Sequence, residues 1–410
     1  MEDEAVFRAR CRAFLDEHAL GSPAQELDGD PRGDRALALA RQFQGALFDA
    51  GLAGLSLPKQ FGGQGLTDRH ERIWREEASH YPLITEELSI SLGNCLPVIV
   101  EFGTDEQKHR HIAATLAGRH VLCQMFSEPE AGSDVASLRS RAVSTGDGWS
   151  LTGQKVWTTL AHVAEYGIVL ARTDPEQPKH RGLSLFIVDL NAPGVEVRPI
   201  HQIDGGRHFN EVFFNDVLLS PSALIPPENG GWRLASAMLH YQRVARGTGQ
   251  FDGIRHDRTD QLLVEARRRD LVDDPVVRQD LMKLYTAEVC RSLVALRARA
   301  AMEASGEPGP GGSLPKLAGA MIAADYRDLA LRLVGPSSVA WSDGADGTAE
   351  ASAAGDYWAR EALFAVSMSI SGGTSEIQRN IIGERVLGLP REPAPDRHIP
   401  FADLVVASTS

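Results

Sequence analysis

The stretch QMFSEPEAGSD, residues 124–134, has the composition of a ligand-binding loop. Ser and Glu precede a proline, and Gly132, Ser133 and Asp134 follow in a run of turn-forming residues. Such a loop presents backbone N–H groups and hydroxyls in fixed positions, which suits a cofactor with many acceptor atoms, such as a flavin ring. An ordinary Pro-Gly turn with an aspartate cap accounts for the same residues, so the stretch alone leaves both interpretations open.

The elements that position this loop fall into three blocks along the 410 residues of the chain. Residues 1–120 have a helical pattern, with Thr104 as a predicted N-cap and Gly118 as a predicted helix stop. Residues 121–226 contain short β-branched or aromatic runs separated by Gly, Pro, Asn or Asp, which predicts an antiparallel barrel or sandwich. The helical period returns over residues 227–410. We therefore predict an α+β protein with a helical, a β and a second helical domain.

Composition argues against several other classes of protein. The net charge is −13, whereas sequence-independent nucleic-acid binding needs Lys and Arg to neutralise phosphates. The four cysteines (Cys11, Cys95, Cys123 and Cys290) form no CxxC pair, so we expect reduced thiols rather than a zinc or other metal site. The chain begins without an apolar signal core and has no run of about 18 apolar residues, so we expect a cytoplasmic protein with no membrane span.

Several stretches together resemble the acyl-CoA dehydrogenase family. QMFSEPEAGSD is similar to the family's flavin- and acyl-binding signature, and residues 153–172, GQKVWTTLAHVAEYGIVLAR, resemble its second flavin-contacting segment. Residues 372–390, GGTSEIQRNIIGERVLGLP, resemble its C-terminal signature, while PKQFGGQGL and FGTDEQKHRHIAATLAG resemble its N-terminal domain. These stretches follow the family's order and cover most of the chain.

The resemblance implies a fold, a cofactor and a reaction. The fold is an N-terminal α-helical domain, a β-domain and a C-terminal four-helix bundle, and the cofactor is FAD. The reaction is α,β-desaturation of an acyl-CoA thioester, with electrons leaving through an electron-transferring flavoprotein. The resemblance also implies a homo- or hetero-oligomer.

The same resemblance assigns ligand contacts by position. The implied flavin contacts are Gln124, Phe126, Ser127, Gly132, Trp157, Thr158, Thr159, Thr374 and Glu376, and Ser133 would lie near the acyl-CoA. A barrel-core position for Trp157 remains open beside this one. Arg268 and Gly335 stand where the family binds the adenosine diphosphate part of FAD across a subunit boundary, but the Phe-Gly that follows the arginine is missing and Pro336 follows the glycine. A solvated helix face accounts for Arg268 equally well.

The base of the family's reaction is missing from both positions where members carry it. Many members place a glutamate directly before the Gly-Thr of the C-terminal loop, where this chain has Gly372. Others place it immediately before an arginine on the first helix of the C-terminal bundle, where this chain has Gln242 before Arg243. Leu234, Met238 and Gln242 lie four residues apart, so the glutamine interrupts an apolar stripe. A neutral amide cannot serve as a base near neutral pH.

Three explanations of the missing base remain open. In the first, the chain is the non-catalytic partner of a heteromeric acyl-CoA dehydrogenase. Its Gly-Gly-Thr loop resembles that branch of the family. Alternatively the base comes from elsewhere, for example from His240 or Tyr241, although a surface histidine is the simpler interpretation of His240. Third, the flavin serves another acyl-CoA reaction that needs no glutamate. A binding protein without flavin turnover is a further alternative.

Overall fold

The computed structural model describes residues 3–19, 34–81, 83, 86–248, 257–305, 309–339 and 349–408. The described chain divides into two compact units. The first unit comprises the described residues of Met1–Leu20, Arg32–Gln242 and Glu392–Ser410, and the second comprises those of Arg243–Arg391. None of the helices in these described ranges is both long and apolar enough to cross a membrane.

The helices of the first unit precede and follow a sheet. They are α1 Glu4–His18, α2 Asp34–Asp49, α3 Asp68–Ala78, a π-helical turn Ser91–Cys95, α4 Leu96–Phe102, α5 Asp105–Leu116, the start of α6 Gly231–Thr248, and α12 Phe401–Ser408. Helix α1 buries Phe7, Cys11 and Phe14 at three- and four-residue spacing, as an amphipathic helix requires. It is tied to α3 because Arg8 and Arg12 donate hydrogen bonds to Glu77 at 2.8 and 2.6 Å.

Helix α5 begins and ends where the sequence predicts. Thr104 forms a capping box with Gln107, and Gly118 follows the C-cap with a left-handed φ of 67°. The Gln107 amide also donates to the carbonyls of Ser222 and Leu224 at 2.8 and 2.9 Å. One buried side chain therefore caps the helix and joins it to the sheet.

Within the described residues, the sheet contains eight strands. They are β1 Leu122–Met125, β2 Arg141–Ser144, β3 Trp149–Thr159, β4 Tyr166–Arg172, β5 Leu183–Asp189, β6 Val195–Pro199, β7 Phe209–Leu219 and β8 Leu224–Ile225. Their order is β6-β7-β3-β2-β4-β5-β8, and β1 pairs with β4 off this path.

The sheet is not wholly antiparallel, which corrects the prediction of an antiparallel domain. Strand β4 pairs in parallel with β1 over four residues and with β2 at one position, Arg141 opposite Arg172. The remaining pairings are antiparallel. Residues from β1 to β5 and from β7 share one core, with Met125, Phe186 and Phe214 nearly inaccessible to solvent. The strands therefore enclose a common interior, and the loops that leave them carry the candidate site.

The second unit is helical. It contains the end of α6, α7 Asp257–Arg268, α8 Pro275–Ser305, α9 Ser313–Val334, α10 Ala349–Ser367, α11 Ser375–Ile381 and a π-helical turn Ile382–Val386. Four of these helices, α7 to α10, contribute to one core that includes Leu262, Leu284, Tyr326 and Trp358. The predicted α+β class, with a helical, a β and a second helical part, is thus confirmed. The predicted domain boundaries after 120 and 226 remain predictions, because the compact division keeps the first two parts together.

Candidate active site

Strand β1 leads into residues 126–140, which we call the β1 loop. Gln124 is half-buried at the end of the strand, and its Oε1 accepts a hydrogen bond from Asn94 Nδ2 at 3.2 Å. Ser127 is also half-buried, and its carbonyl accepts the Val156 N–H at 3.0 Å. The beginning of the loop is therefore fixed to β3 at Val156, which belongs to the segment 153–172 that resembles the family's second flavin-contacting segment.

A buried ion pair fixes the β1 loop from inside. Lys155 is fully buried, and its Nζ donates to the Phe126 carbonyl at 3.1 Å and to Glu128 Oε1 at 2.7 Å. Glu128 also accepts the N–H groups of Arg139 and Ser140 at 2.6 and 2.9 Å. Burial alone would raise the pKa of Glu128, but the charge of Lys155 and these hydrogen bonds hold that pKa below its usual value. The pair joins the start of the loop to its end.

Trp157 points outward because β3 is irregular at this place. The register shifts between Lys155 and Thr158, and Trp157 has a left-handed φ of 59°. Such a conformation costs about 1–3 kcal/mol for a bulky residue and is concentrated at functional sites. The Trp157 side chain is 59% exposed and meets Phe209 edge-on, with ring centroids 6.2 Å apart. Trp157 is therefore not a core residue, and its ring is free to lie along a ligand.

The two threonines that follow differ in accessibility. Thr158 is 1% exposed, and its hydroxyl is buried with no hydrogen-bond partner among the described residues. Its carbonyl accepts a bond from Asn210 Nδ2 at 3.0 Å. Thr159 is only half-buried. The implied flavin contact stays a prediction for both, and Thr159 is the one whose side chain is open to a ligand.

The glycine of the β1 loop is not required by the protein itself. Gly132 is exposed, its φ lies outside the left-handed region, and a Cβ placed on it would meet no heavy atom within 4 Å. Ser133 beside it is exposed as well. The next residue, Asp134, accepts bonds from Ser137 Oγ at 2.6 Å and from Lys179 Nζ at 2.9 Å. A ligand that approaches the backbone closely accounts for a glycine at this position.

Helix α6 carries one of the two base positions. Leu234, Met238 and Gln242 are 0%, 0% and 7% exposed, so the stripe is buried and the amide lies inside the protein. The Gln242 amide can donate and accept hydrogen bonds but cannot take a proton near neutral pH. The side chain of Arg243 lies outside the described residues, so the prediction that it helps to order the substrate side of the site stays a prediction.

The neighbours of Gln242 correct one expectation. His240 is 7% exposed, so its interpretation as a surface histidine is wrong. The hydroxyl of Tyr241 donates a hydrogen bond to Glu101 of α4. Tyr241 is thus tied to α4, and the His240 ring meets the Tyr241 ring with centroids 6.3 Å apart.

The other base position lies in a turn of the second unit, residues 369–374, which we call the double-glycine turn. Gly372 and Gly373 have φ values of 71° and 90°, a region that costs other residues about 1–2 kcal/mol. Gln378 is fully buried and donates to the carbonyls of these glycines at 3.1 and 3.3 Å. Lys316 Nζ donates to the Gly373 carbonyl at 2.7 Å. This backbone is therefore built for glycine and disfavours a glutamate at residue 372.

Thr374 and Glu376 follow the turn at the start of α11. Thr374 is the N-cap, and its hydroxyl accepts the Ile377 N–H at 3.2 Å. Glu376 is exposed and 3.2 Å from Arg379. Its own backbone N–H, the Thr374 hydroxyl and Arg379 lower the pKa of Glu376, so it is ionised at neutral pH. Their implied flavin contacts stay predictions.

Arg268 and Gly335 end two neighbouring helices. Arg268 is the last residue of α7, with an exposed side chain 3.9 Å from Glu265. Gly335 caps α9 with a left-handed φ of 67°. Arg269 donates to the Val334 carbonyl at 3.0 Å, which brings the two helix ends together. Their proximity supports the implied role in adenosine diphosphate binding without testing it.

Sequence reasoning missed the residues that hold the two loops: Lys155, Glu128, Gln378 and Lys316. A signal existed for the first two. Lys155 follows the buried Trp149 and Leu151 at even spacing along β3, and a buried lysine needs a partner. The loop signature contains a glutamate before its proline. Gln378 gives no comparable signal, because a glutamine in a short helix is ordinary on any surface.

Comparisons with known proteins test the family resemblance. Models of the N-terminal, middle and C-terminal domains of acyl-CoA dehydrogenase match residues 1–119, 123–217 and 229–387. Acyl-CoA dehydrogenase IpdE1 of Mycobacterium tuberculosis is 37% identical over 398 residues, which are 96% of this chain and 99% of the relative. The chain belongs to the acyl-CoA dehydrogenase family.

Solved structures of other proteins have the same fold as this acyl-CoA dehydrogenase family member. The Tcur3481-Tcur3483 steroid ACAD is 26% identical, with a TM-score of 0.76 and coverage of 96% of this chain and 99% of that one. The ChsE4-ChsE5 complex from Mycobacterium tuberculosis is likewise 26% identical, with a TM-score of 0.74 and the same coverage.

FAD is the cofactor of the acyl-CoA dehydrogenase family, whose members are oxidoreductases. The chain's residues fit it. Gly132 leaves room for a close backbone approach, the Trp157 ring is exposed at a strained bulge, and Thr159 offers a hydroxyl beside it. In the second unit, the Arg268 guanidinium lies at the end of α7, close to the end of α9 that Gly335 caps, and a guanidinium can pair with a phosphate group.

Proposed function

We propose that this chain is the FAD-binding subunit of a heteromeric acyl-CoA dehydrogenase and does not supply the base that takes the α proton. One observation carries the proposal. The two positions where the family places its glutamate hold a buried amide, Gln242, and a left-handed glycine, Gly372. Neither residue can accept a proton near neutral pH.

The missing carboxylate affects one half of the reaction. Desaturation removes a proton from the carbon α to the thioester and a hydride from the β carbon. When bound, FAD supplies the acceptor for that hydride. A positioned general base contributes about 10²–10⁴-fold to such a proton transfer. Gln242 can hydrogen-bond a thioester or a water, but the proton itself needs a carboxylate from another chain.

Two-chain relatives support the choice of partner and substrate class. The solved neighbours include a complex of ChsE4 with ChsE5 and a steroid ACAD of Tcur3481 and Tcur3483. We infer that this chain pairs with a homologue that carries the base and acts on an acyl-CoA with a steroid-derived acyl group. Electrons would leave through an electron-transferring flavoprotein.

The lone chain provides the first test. Purified with FAD, it is mixed anaerobically with acyl-CoA thioesters of increasing chain length and with steroid thioesters, and flavin absorbance is followed. We expect retained flavin and no bleaching by any thioester. Co-expression with a base-bearing homologue is expected to give a mixed oligomer whose flavin bleaches.

Restoring the carboxylate is the second test. Gln242→Glu in the lone chain is expected to accelerate bleaching by about 100-fold or more, the lower range for a general base. Gln242→Met, which has similar volume and no acid, is the matched control and is expected to stay inactive. The flavin content of both variants shows that cofactor binding is unchanged.

Two outcomes would contradict the proposal. Rapid bleaching by the unmodified chain means that it has its own base, and the buried His240 beside Gln242 would be examined first. A protein that retains no flavin in either the lone or the mixed form would overturn the assignment of a flavin-binding subunit.

A further inference from the structure

The C-terminal segment, Glu392–Ser410, lies beyond the family match, which ends at residue 387. It is described to residue 408 and belongs to the first unit rather than to the helical unit that precedes it in sequence. Backbone N–H groups of Phe401 and Ala402 donate to the carbonyls of Gln177 and Pro175, each at 3.0 Å. The segment is thus fastened to the connection between β4 and β5.

Arg172 joins this segment to the β1 loop. It is the last residue of β4 and is 4% exposed. Its guanidinium donates to the carbonyls of Ala136 at 2.6 Å, Leu138 at 3.4 Å and Lys179 at 3.3 Å. The same group lies 3.5 Å from the centre of the Phe401 ring. One buried cation therefore contacts the loop, the β4–β5 connection and the C-terminal helix.

A second cation repeats this arrangement nearer the surface. Lys179 is 15% exposed and lies 2.9 Å from Asp134 of the β1 loop and 3.2 Å from Asp396 of the C-terminal segment. Asp134 directly follows Ser133, which the family signature places beside the acyl-CoA. Burial lowers the pKa of Lys179, but hydrogen bonds to the two carboxylates more than offset this, and its pKa is raised. The lysine stays charged at neutral pH.

We propose that the C-terminal segment is part of the scaffold of the ligand site, with Arg172 and Lys179 as positioning residues that hold residues 132–138. Carbonyls that accept hydrogen bonds from Arg172 and a carboxylate bonded to Lys179 fix this stretch, while Gly132 and Ser133 at its start are exposed. Without the segment, Phe401 no longer covers the guanidinium and Asp396 no longer shares the lysine. The β1 loop then becomes more mobile, and flavin and acyl-CoA bind more weakly. The proposal rests on the proposed function only in assigning this loop to those ligands.

The test compares the full chain with a truncation that ends at Arg391. Hydrogen exchange of peptides covering 132–138 is measured with and without FAD, and the flavin dissociation constant is measured by fluorescence. We expect faster exchange in this stretch and about tenfold weaker flavin binding, equivalent to about 1.4 kcal/mol. Phe401→Ala, a milder change, is expected to shift both in the same direction.

Point variants separate positioning from general stability. Arg172→Met is compared with Arg198→Met, because Arg198 also lies over a phenylalanine ring, Phe213, but bonds Glu196 on β6 and not the β1 loop. We expect Arg172→Met to bind flavin more weakly than the unmodified chain and Arg198→Met to bind flavin with unchanged affinity. Lys179→Met is expected to weaken flavin binding and to raise the apparent KM for acyl-CoA in the mixed oligomer with little change in kcat. Lys179→Arg, which keeps the positive charge, is expected to retain the flavin affinity and the KM of the unmodified chain.

The possible outcomes distinguish this proposal from the proposed function. If truncation and Lys179→Met leave both exchange over 132–138 and flavin affinity unchanged, the scaffold role is wrong. If the full chain binds no flavin, the proposed function fails, while the exchange measurement still decides whether the segment orders the loop. If Arg172→Met does not fold, the truncation and the variants Lys179→Met and Lys179→Arg decide whether the scaffold role is correct.

Discussion

The β1 loop and the double-glycine turn both present glycine-containing backbone, but a buried ion pair holds the first, whereas donors to backbone carbonyls hold the second. The β1 loop is fixed by charges: Lys155 with Glu128 inside the sheet, and Arg172 at its far end. The double-glycine turn is fixed by the amide of Gln378 and by Lys316, which donate to its carbonyls. The β1 loop carries residues that the family signature assigns to the flavin, whereas the double-glycine turn has Gly372 where many members have the glutamate.

The largest expected effect comes from removing one donor from each region. Lys155→Met leaves Glu128 buried without its counter-charge, and we expect a loss of about 3–5 kcal/mol in the free energy of unfolding. Gln378→Met removes two hydrogen bonds between neutral groups, and we expect about 1–3 kcal/mol. Urea titrations of both variants measure the difference. Equal losses would mean that ionisation adds nothing to the hold on the β1 loop.

Glycine substitutions are expected to lower folding stability in the double-glycine turn but flavin affinity in the β1 loop. Gly372→Ala forces a side chain into a left-handed backbone and is expected to cost about 1–2 kcal/mol of folding stability. Gly132→Ala meets no protein atom, so we expect unchanged stability but weaker flavin binding. Thermal unfolding without cofactor and flavin fluorescence titration measure the two effects. A stability loss at Gly132 with normal flavin affinity would assign that glycine to the fold instead.

Acid should weaken the β1 loop selectively. The folded-state pKa of Glu128 lies below its ordinary value of 4.5, so its contribution to stability is fully present above that pH and is lost as the pH falls through the folded value. We therefore expect the stability gap between wild type and Lys155→Met to narrow as the pH falls from 7 to below 4.5. Because the Gln378 amide is neutral, the difference in free energy of unfolding between wild type and Gln378→Met should stay constant. Urea titrations across this pH range measure both stability differences. If the two differences depend on pH in the same way, the selective effect of acid on the β1 loop is refuted.

The same two regions show what the sequence can predict. Patterns with a local cause were predictable: the Thr104 cap, the buried stripe ending at Gln242, and the alternation of helical and strand blocks. Family signatures located both loops. The parallel pairing of β1 with β4 and the burial of His240 were not predictable, because both depend on contacts between residues far apart in sequence. The partners of Arg172 escaped prediction for the same reason, since they span residues 136 to 401.

The smallest expected effect is at Glu376, the one acidic residue that the family signature keeps beside the double-glycine turn. Its side chain is exposed and its partner Arg379 lies on the same helix, so Glu376→Gln should leave the midpoint of thermal unfolding unchanged. If the implied flavin contact exists, flavin affinity should fall by about threefold, the range of one hydrogen bond. Arg379→Gln, which breaks the same pair from the other side, is the control and should leave flavin affinity intact. Should both variants bind flavin normally, Glu376 acts only at the helix terminus. The turn would then have lost a cofactor contact as well as its base, and flavin binding by this chain would depend still more on the β1 loop.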